Sequence, residues 1–477
     1  MNAYIPNIRA YIKTRKLILL YAFLYTLVVL SVVLQRFWQF EAFYYDQGLF
    51  DRAIWLVSRF KEPIIEHQTL GRVHHFADHF VPSLYVMFSP WYWISSRYDI
   101  TLIALSIYTG LSVLVAYEIA SLKIKNRYII YALIIAYTWY IGLQNALIFF
   151  IHDITAMLLP LLLLFYFLFR EKWKWFFLFL LFNLGFKETI AAVAMSLGIF
   201  MWLYNKRWRM QAIAVIFISL VYGFVITKII IPYFSNGRFL YNPMWPSQIS
   251  DYITRFVDKS SKIQVIFYTL ATYGFLPILA PATYILFIQD LGLRFVLSET
   301  ISQRLDLGLH YNANLAVFTF VSAVLGASYL QRKKWLNDKK SLIYALVIIL
   351  VVFVVHRFVL RGPFGLFYNL DFYRHTFRQG FMHDFINKIP TKGKIMTQNN
   401  IAVFFTHNDL YILNGYDYLK RINPDTVAID LRPGQNPNNL WPMDEKGMTE
   451  LVKKIKEDQK YKIYYGDANR YIFIKRN

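Results

Sequence analysis

The chain has 477 residues, 57% of them hydrophobic and 19% aromatic, with 17% charged and a formal net charge of +22. An ordinary soluble domain is about a quarter charged. The composition therefore argues against a disordered chain, and against a nucleic-acid partner, whose binder would gather its Lys and Arg onto one face. The absence of cysteine removes disulfide scaffolds, thiolate metal sites and cysteine nucleophiles. What remains is a polytopic membrane protein.

Residues 17–36, 100–121, 128–149, 154–169, 210–232, 313–331 and 341–360 are apolar over roughly the 17–20 residues that a crossing helix needs. Residues 174–204 are interrupted once, at Lys187-Glu188, and read as two short helices meeting there. Residues 263–297 are split by Pro277 and Pro281, and residues 81–96 are broken by Pro90. Basic residues fix the direction. Arg9, Lys13, Arg15 and Lys16 place the N-terminus in the cytoplasm. The other short basic loops hold Lys123/Lys125/Arg127, Arg170/Lys172/Lys174, Lys206/Arg207/Arg209 and Arg332/Lys333/Lys334/Lys339/Lys340. They fall on the same side only if 81–96 lies at the interface or re-enters. About eleven spans result, in a multi-pass protein of the plasma membrane with a retained first helix and an extracytoplasmic C-terminus.

The expected fold class is mainly α. Residues 1–361 form the polytopic transmembrane helix bundle, with 37–99 as its first outer loop. Residues 362–393 connect, with a helix over 377–388. Residues 394–477 read as a small extracytoplasmic α/β domain, with strands at 394–397, 411–413, 426–431, 461–465 and 470–474 and a helix over 446–457.

The topology rests on Lys and Arg alone, so the placement of the other polar residues is independent information. Glu41, Asp46, Asp51, Glu62, Glu66, His67, His74, His75, Asp78 and His79 crowd the first outer loop. His152-Asp153, Lys187-Glu188 and His310-Tyr311-Asn312 fall at outer helix ends. Glu118, Lys228, Asp290 and Arg294 lie near span ends, so no midplane acid suggests a proton-coupled carrier. No Walker loop, dinucleotide fingerprint or Ser-His-Asp spacing is present. The chemistry is expected on the outer face.

Asp46 precedes an amphipathic stretch, so it is either a helix N-cap or a general base above the membrane surface. Asp51 is either a second carboxylate or part of a solvated helix face. His75 and His79 share a face if 74–79 is helical, where with Asp78 they could ligate zinc or bind phosphate; otherwise they are interfacial polarity. The pairs His152-Asp153 and Lys187-Glu188 read singly as snorkelling helix ends. Taken together with the loop acids, they suggest an orienting carboxylate in Glu188 and a phosphate-neutralising Lys187. Arg304, His310 and Tyr311 make a cationic, hydrogen-bonding cluster suited to phosphate.

The block from Tyr45-Asp46-Gln47-Gly48-Leu49-Phe50-Asp51 to Trp55, followed by His75-Phe76-Ala77-Asp78-His79-Phe80-Val81-Pro82, resembles the membrane family known as domain of unknown function 2079. So do His152-Asp153, Lys187-Glu188, the Leu-Pro-Ile-Leu-Ala-Pro turn, His310-Tyr311 and the tail from Ile389-Pro390 to Arg476. The family pattern has His-Pro-Glu where this chain has His152-Asp153-Ile154, and Lys-Glu-Asp where it has Lys187-Glu188-Thr189. That family is similar to the GT-C superfamily of membrane glycosyltransferases. The resemblance implies an acid in the first outer loop, here Asp46, and a polyprenyl-phosphate sugar as donor.

The resulting expectation is a glycosyltransferase acting on the outer face, with membrane lipids around it and a glycan, lipid or protein acceptor. Asp46, Asp51, Asp78 and Glu188 form the catalytic set. His75, His79, His152, Lys187, Arg304, His310 and Tyr311 hold the donor phosphate. No motif demands a cofactor; a divalent metal on His75, Asp78 and His79 is the one candidate. The competing readings are a lipid or saccharide transporter and a non-catalytic envelope scaffold.

Overall fold

The computed structural model describes residues 8–241, 243, 245–297 and 302–476, with the backbone alone for 8–13 and 302–303; the side chains of Arg9 and Lys13 therefore lie outside the described residues. Among the described residues, five helices are long and apolar enough to cross a membrane: Thr14–Trp38, Ile100–Lys123, Lys206–Phe234, Asn312–Arg332 and Asp338–Val359. Arg127–Thr138 and Ile141–Ile148 add a sixth span if the pair, bent by 40°, counts as one.

The count of about eleven is thus not reached by length and composition. The other expected spans fold as shorter helices, Leu158–Phe169, Trp173–Leu184, Ile190–Tyr204, Ser260–Thr272 and Tyr284–Phe295. At about 1.5 Å per residue, helices of this length fall short of a hydrocarbon core roughly 30 Å thick. The breaks have chemical causes. Lys187-Glu188 ends one helix before the next begins, and Pro277 and Pro281 sit in short 3-10 turns where a continuing helix would need their missing N–H groups. Residues 81–96 form Pro82–Phe88 and Trp91–Ile94, both too short to cross.

The basic loops meet at one end of the bundle. The Lys123 ammonium lies 4.4 Å from the Phe169 ring centre and 5.8 Å from that of Tyr204, and Trp208 donates to Glu171. The Lys125 amide donates to Gln331, and Asn126 donates to Asp338.

The first loop is more structured than its polarity suggests. It contains a π-helical turn, Tyr44–Gly48, the helix Leu49–Ser58 and a hairpin of β1 (Ile64–His67) and β2 (Gly71–His74) in which Ile65 faces Val73. Gly48 is required by close packing, since a Cβ there would stand 2.7 Å from the Tyr44 ring. The Tyr44 hydroxyl in turn accepts from the Glu66 amide at 3.0 Å, tying the turn to the hairpin.

The chain after the last long helix forms Leu370–Arg378 and Gly380–Asn387, so helix begins before the expected 377. A five-stranded sheet follows, made of β3 (Lys394–Thr397), β4 (Asp409–Ile412), β5 (Thr426–Asp430), β6 (Tyr461–Asp467) and β7 (Arg470–Lys475). Their order is β4-β3-β5-β7-β6, with β4, β3 and β5 parallel and β7 antiparallel to both its neighbours. Alternation sorts its two faces. Ile395, Leu410, Ile412, Ala428 and Ile472 join the core shared with the bundle and first loop. Met396, Tyr411, Val427 and Phe473 pack with Met448, Leu451 and Ile455 of the helix Glu445–Glu457.

Candidate active site

The His and acid residues at the helix ends opposite the basic loops are joined into one buried network. Lys187 lies between Trp173–Leu184 and Ile190–Tyr204, and its ammonium donates to Asp153 at 2.7 Å and approaches His79 Nε2 at 3.3 Å. His79 Nδ1 stands 3.0 Å from Glu188 Oε1. Asp153 also pairs with His152 Nδ1. The His152 ring stacks on that of His310 with centroids 3.5 Å apart, and His310 lies 4.0 Å from the Tyr311 ring. Tyr311 accepts from Arg304 Nε at 3.1 Å. Asp78 receives the Tyr241 hydroxyl and lies 3.5 Å from His67 and 3.7 Å from His79.

Local sequence explains the placement. Thr155 and His152 close a reciprocal cap at the start of Asp153–Ala156, which holds the Asp153 carboxylate at the helix end. Ser83 donates its amide to the Gly185 carbonyl at 2.9 Å, locking the helix after His79 to the Lys187-Glu188 junction. A Cβ at Gly185 would lie 2.2 Å from the Ser83 hydroxyl.

Charge in this network is set by pairing against burial. Burial disfavours the ammonium of Lys187, yet Asp153 and Glu188 hold its pKa above the ordinary value. Burial would raise Asp78 and Asp153, but His79 and His67 around the first, and His152 and Lys187 around the second, keep both low. His79 is raised, with Asp78 and Glu188 outweighing burial and Lys187. His152 and His310 are lowered by burial and so are neutral near pH 7. Both ring nitrogens of His310 are buried and lack a hydrogen-bond partner among the described residues. Lys187 is buried, whereas Arg304 and Tyr311 are partly exposed and form the edge of the network that a ligand can reach.

Asp46 sits beside this network without belonging to it. The neighbouring Gln47 accepts from the Ile151 amide at 2.8 Å, and Phe50 packs edge-on against His75 and His152. The Asp46 carboxylate has no hydrogen-bond partner among the described residues, and burial pushes its pKa up to about 6. A carboxylate of that kind is a competent proton acceptor near neutral pH.

Two expected members lie elsewhere. His75 belongs to a short 3-10 helix, so the i, i+4 face shared with His79 does not form. Its Nδ1 is 2.8 Å from the Tyr85 hydroxyl, and burial lowers its pKa to about 3, leaving a neutral ring. Among the described residues no group of three His, Asp or Glu side chains is arranged to hold a metal ion, so His75, Asp78 and His79 do not fit the proposed cation.

Asp51 is buried rather than on a solvated face. It accepts from Tyr92, from Thr101 at 3.2 Å and from Thr406 at 2.6 Å, with His407 at 3.3 Å. Arg52 donates to the Thr406 and Asn408 carbonyls beside it. This is a clamp between the first loop and the C-terminal sheet. Asp51→Ala would strand three hydroxyl donors and is expected to cost about 3 kcal/mol. Limited proteolysis around residue 390 should then release the C-terminal region, and an unchanged digestion pattern would refute the clamp.

Sequence reasoning missed His67's contact, Tyr241 and Gln47. His67 and Gly71 flank the hairpin turn, where Gly71 has a left-handed φ (+72°), and a glycine between Ile64-Ile65 and Val73 was the readable signal. Tyr241 comes from a distant loop that carries no such signal.

A family model described as a predicted membrane protein, DUF2079, matches residues 36–472. No curated protein matches by sequence. Among solved structures the chain is similar to ArnT from Cupriavidus metallidurans bound to undecaprenyl phosphate, with a TM-score of 0.53 at 10% identity, over 97% of this chain and 98% of that one. At that identity the likeness is one of fold.

Proposed function

The chain belongs to the DUF2079 family of predicted membrane proteins and has a GT-C-like fold, and on that premise we propose that it is a glycosyltransferase using a polyprenyl-phosphate sugar at the extracytoplasmic face. The observation that carries the proposal is the pairing of a lone carboxylate, Asp46, with an adjacent buried network whose reachable edge is Arg304 and Tyr311, with His310 buried against Tyr311. Opposite the basic loops, that edge faces outward under the positive-inside rule.

Asp46 takes the proton from an acceptor hydroxyl as the oxygen attacks the anomeric carbon. The bond from that carbon to the phosphate oxygen breaks, and the polyprenyl phosphate leaves with the electron pair. Arg304, Tyr311 and one N–H of neutral His310 stabilise the developing charge. Lys187, Glu188, Asp153 and Asp78 act as positioning residues that fix His79 and His152 beneath it. A lipid-phosphate donor also needs no nucleotide-binding loop, in keeping with the absence of one.

His310 offers a clean test because its ring nitrogens have no hydrogen-bond partner among the described residues. His310→Phe, which keeps a ring stacked between His152 and Tyr311 but removes both nitrogens, is expected to leave the melting temperature nearly unchanged and to weaken undecaprenyl phosphate binding by about tenfold, the worth of one hydrogen bond to a charged group. Native mass spectrometry in detergent reads this directly. Equal binding by the variant and the wild type would remove His310 from the donor site.

A further inference from the structure

The parallel part of the C-terminal sheet has a crevice of its own. From β3 the chain turns through Asn399–Ala402 to β4 on one side, while from β5 it runs the other way, through 431–444 and Glu445–Glu457 to β6 and β7. Loops that diverge from adjacent parallel strands open a cleft beyond their carboxyl ends, a usual place for a ligand in α/β sheets. On the β5 side of that crevice, the loop 431–444 and the start of Glu445–Glu457 enclose a cavity of about 690 Å³ lined by Arg432, Gln435, Asn438, Leu440, Trp441 and Asp444 among others.

The lining has a definite chemical character. Trp441 is 46% exposed, which leaves an indole face open beside the apolar Leu431, Pro437, Leu440, Pro442 and Met443 and the amides of Gln435 and Asn438. Arg432 is already neutralised by Asp430 through contacts of 2.9 and 2.7 Å, so it offers no free charge to an anion. Asp444 and Glu445 are exposed carboxylates that repel one. Apolar side chains and one aromatic plate alongside amides and carboxylates suit a neutral ligand that has both an apolar face and hydroxyls, as a sugar ring does.

The cleft is also tied to the candidate base. Buried Asn399 accepts from the Tyr45 amide at 3.2 Å and donates to the Asn438 carbonyl at 2.9 Å. One side chain therefore spans from the residue before Asp46 to the cleft rim. Gln398 braces the same rim, accepting from the Asp430 amide at 2.7 Å.

We infer that this cleft is the acceptor site, and that the acceptor is a neutral saccharide stacked on Trp441 and presenting a hydroxyl toward Asp46. The inference deepens the glycosyltransferase reading and rests on it. The test uses the full-length protein in nanodiscs on a printed array of neutral and anionic oligosaccharides, with undecaprenyl phosphate binding measured in parallel. Wild type should retain neutral glycans, and Trp441→Ala, at an exposed position, should lose at least tenfold in their retention while binding undecaprenyl phosphate as before. Asn438→Ala should weaken the same glycans without affecting the lipid.

Lipid binding with no glycan retained by wild type, with equal retention by Trp441→Ala, or with retention of anionic glycans only, overturns the cleft and leaves the donor reading standing. Glycan retention that depends on Trp441, in a wild type that binds no undecaprenyl phosphate, supports the cleft and counts against the donor reading.

Discussion

Replacing Asp46 by asparagine is expected to abolish sugar transfer while making the protein slightly more resistant to heat at pH 7. Loss of a general base lowers turnover by about 10²–10⁴-fold. The stability effect has the opposite sign because the Asp46 pKa is raised by burial to about 6. A carboxyl raised in this way contributes its stability fully below the unfolded-state pKa near 4 and loses it as pH rises through 6. At pH 7 the ionised group costs at most about 3 kcal/mol, and asparagine removes that cost. Melting curves of wild type and Asp46→Asn should therefore converge below about pH 4 and separate above 6. Wild-type turnover should rise through the same window and then level off. A variant that still transfers sugar, or that melts lower than wild type at pH 7, would contradict the role.

The second large effect is structural. Lys187→Met removes the ammonium that is 2.7 Å from Asp153 and 3.3 Å from His79, leaving carboxylates buried without their cation. Breaking such a pair from one side costs about 3–5 kcal/mol, whereas replacing both partners by neutral groups costs far less. Lys187→Met should consequently melt far below wild type, and the double variant Lys187→Met/Asp153→Asn should recover most of the loss. Additive effects in that cycle would show that the two residues do not act as a pair. Lys187→Arg should also fail, because a planar guanidinium does not fit a buried slot built for a point charge.

Much of this was legible because apolar run length and period-2 alternation are strong signals. The strand over Lys394–Thr397, the short helices meeting at Lys187-Glu188 and the turn at Pro277 and Pro281 all stand where pattern placed them. The span count was not legible, since apolarity alone counts each half of 174–204 as a crossing, whereas the halves fold as helices of only 12 and 15 residues. At the site, clustering of acids and histidines on one predicted face identified His79, His152, Asp153, Lys187, Glu188 and His310. Sequence spacing misread Asp51, whose partners Thr406 and His407 lie more than three hundred positions away. It also misread His75, because nothing local distinguishes a 3-10 turn from a helix over 74–79.

The most direct test of the account supplies purified protein in nanodiscs with polyprenyl-phosphate sugars carrying radiolabelled hexose or pentose, together with a neutral oligosaccharide acceptor pool. Wild type is expected to move label to the acceptor and release polyprenyl phosphate in equal amount, and Asp46→Asn to do neither. A wild-type protein that binds the lipid phosphate but releases none from any sugar-bearing form would contradict it.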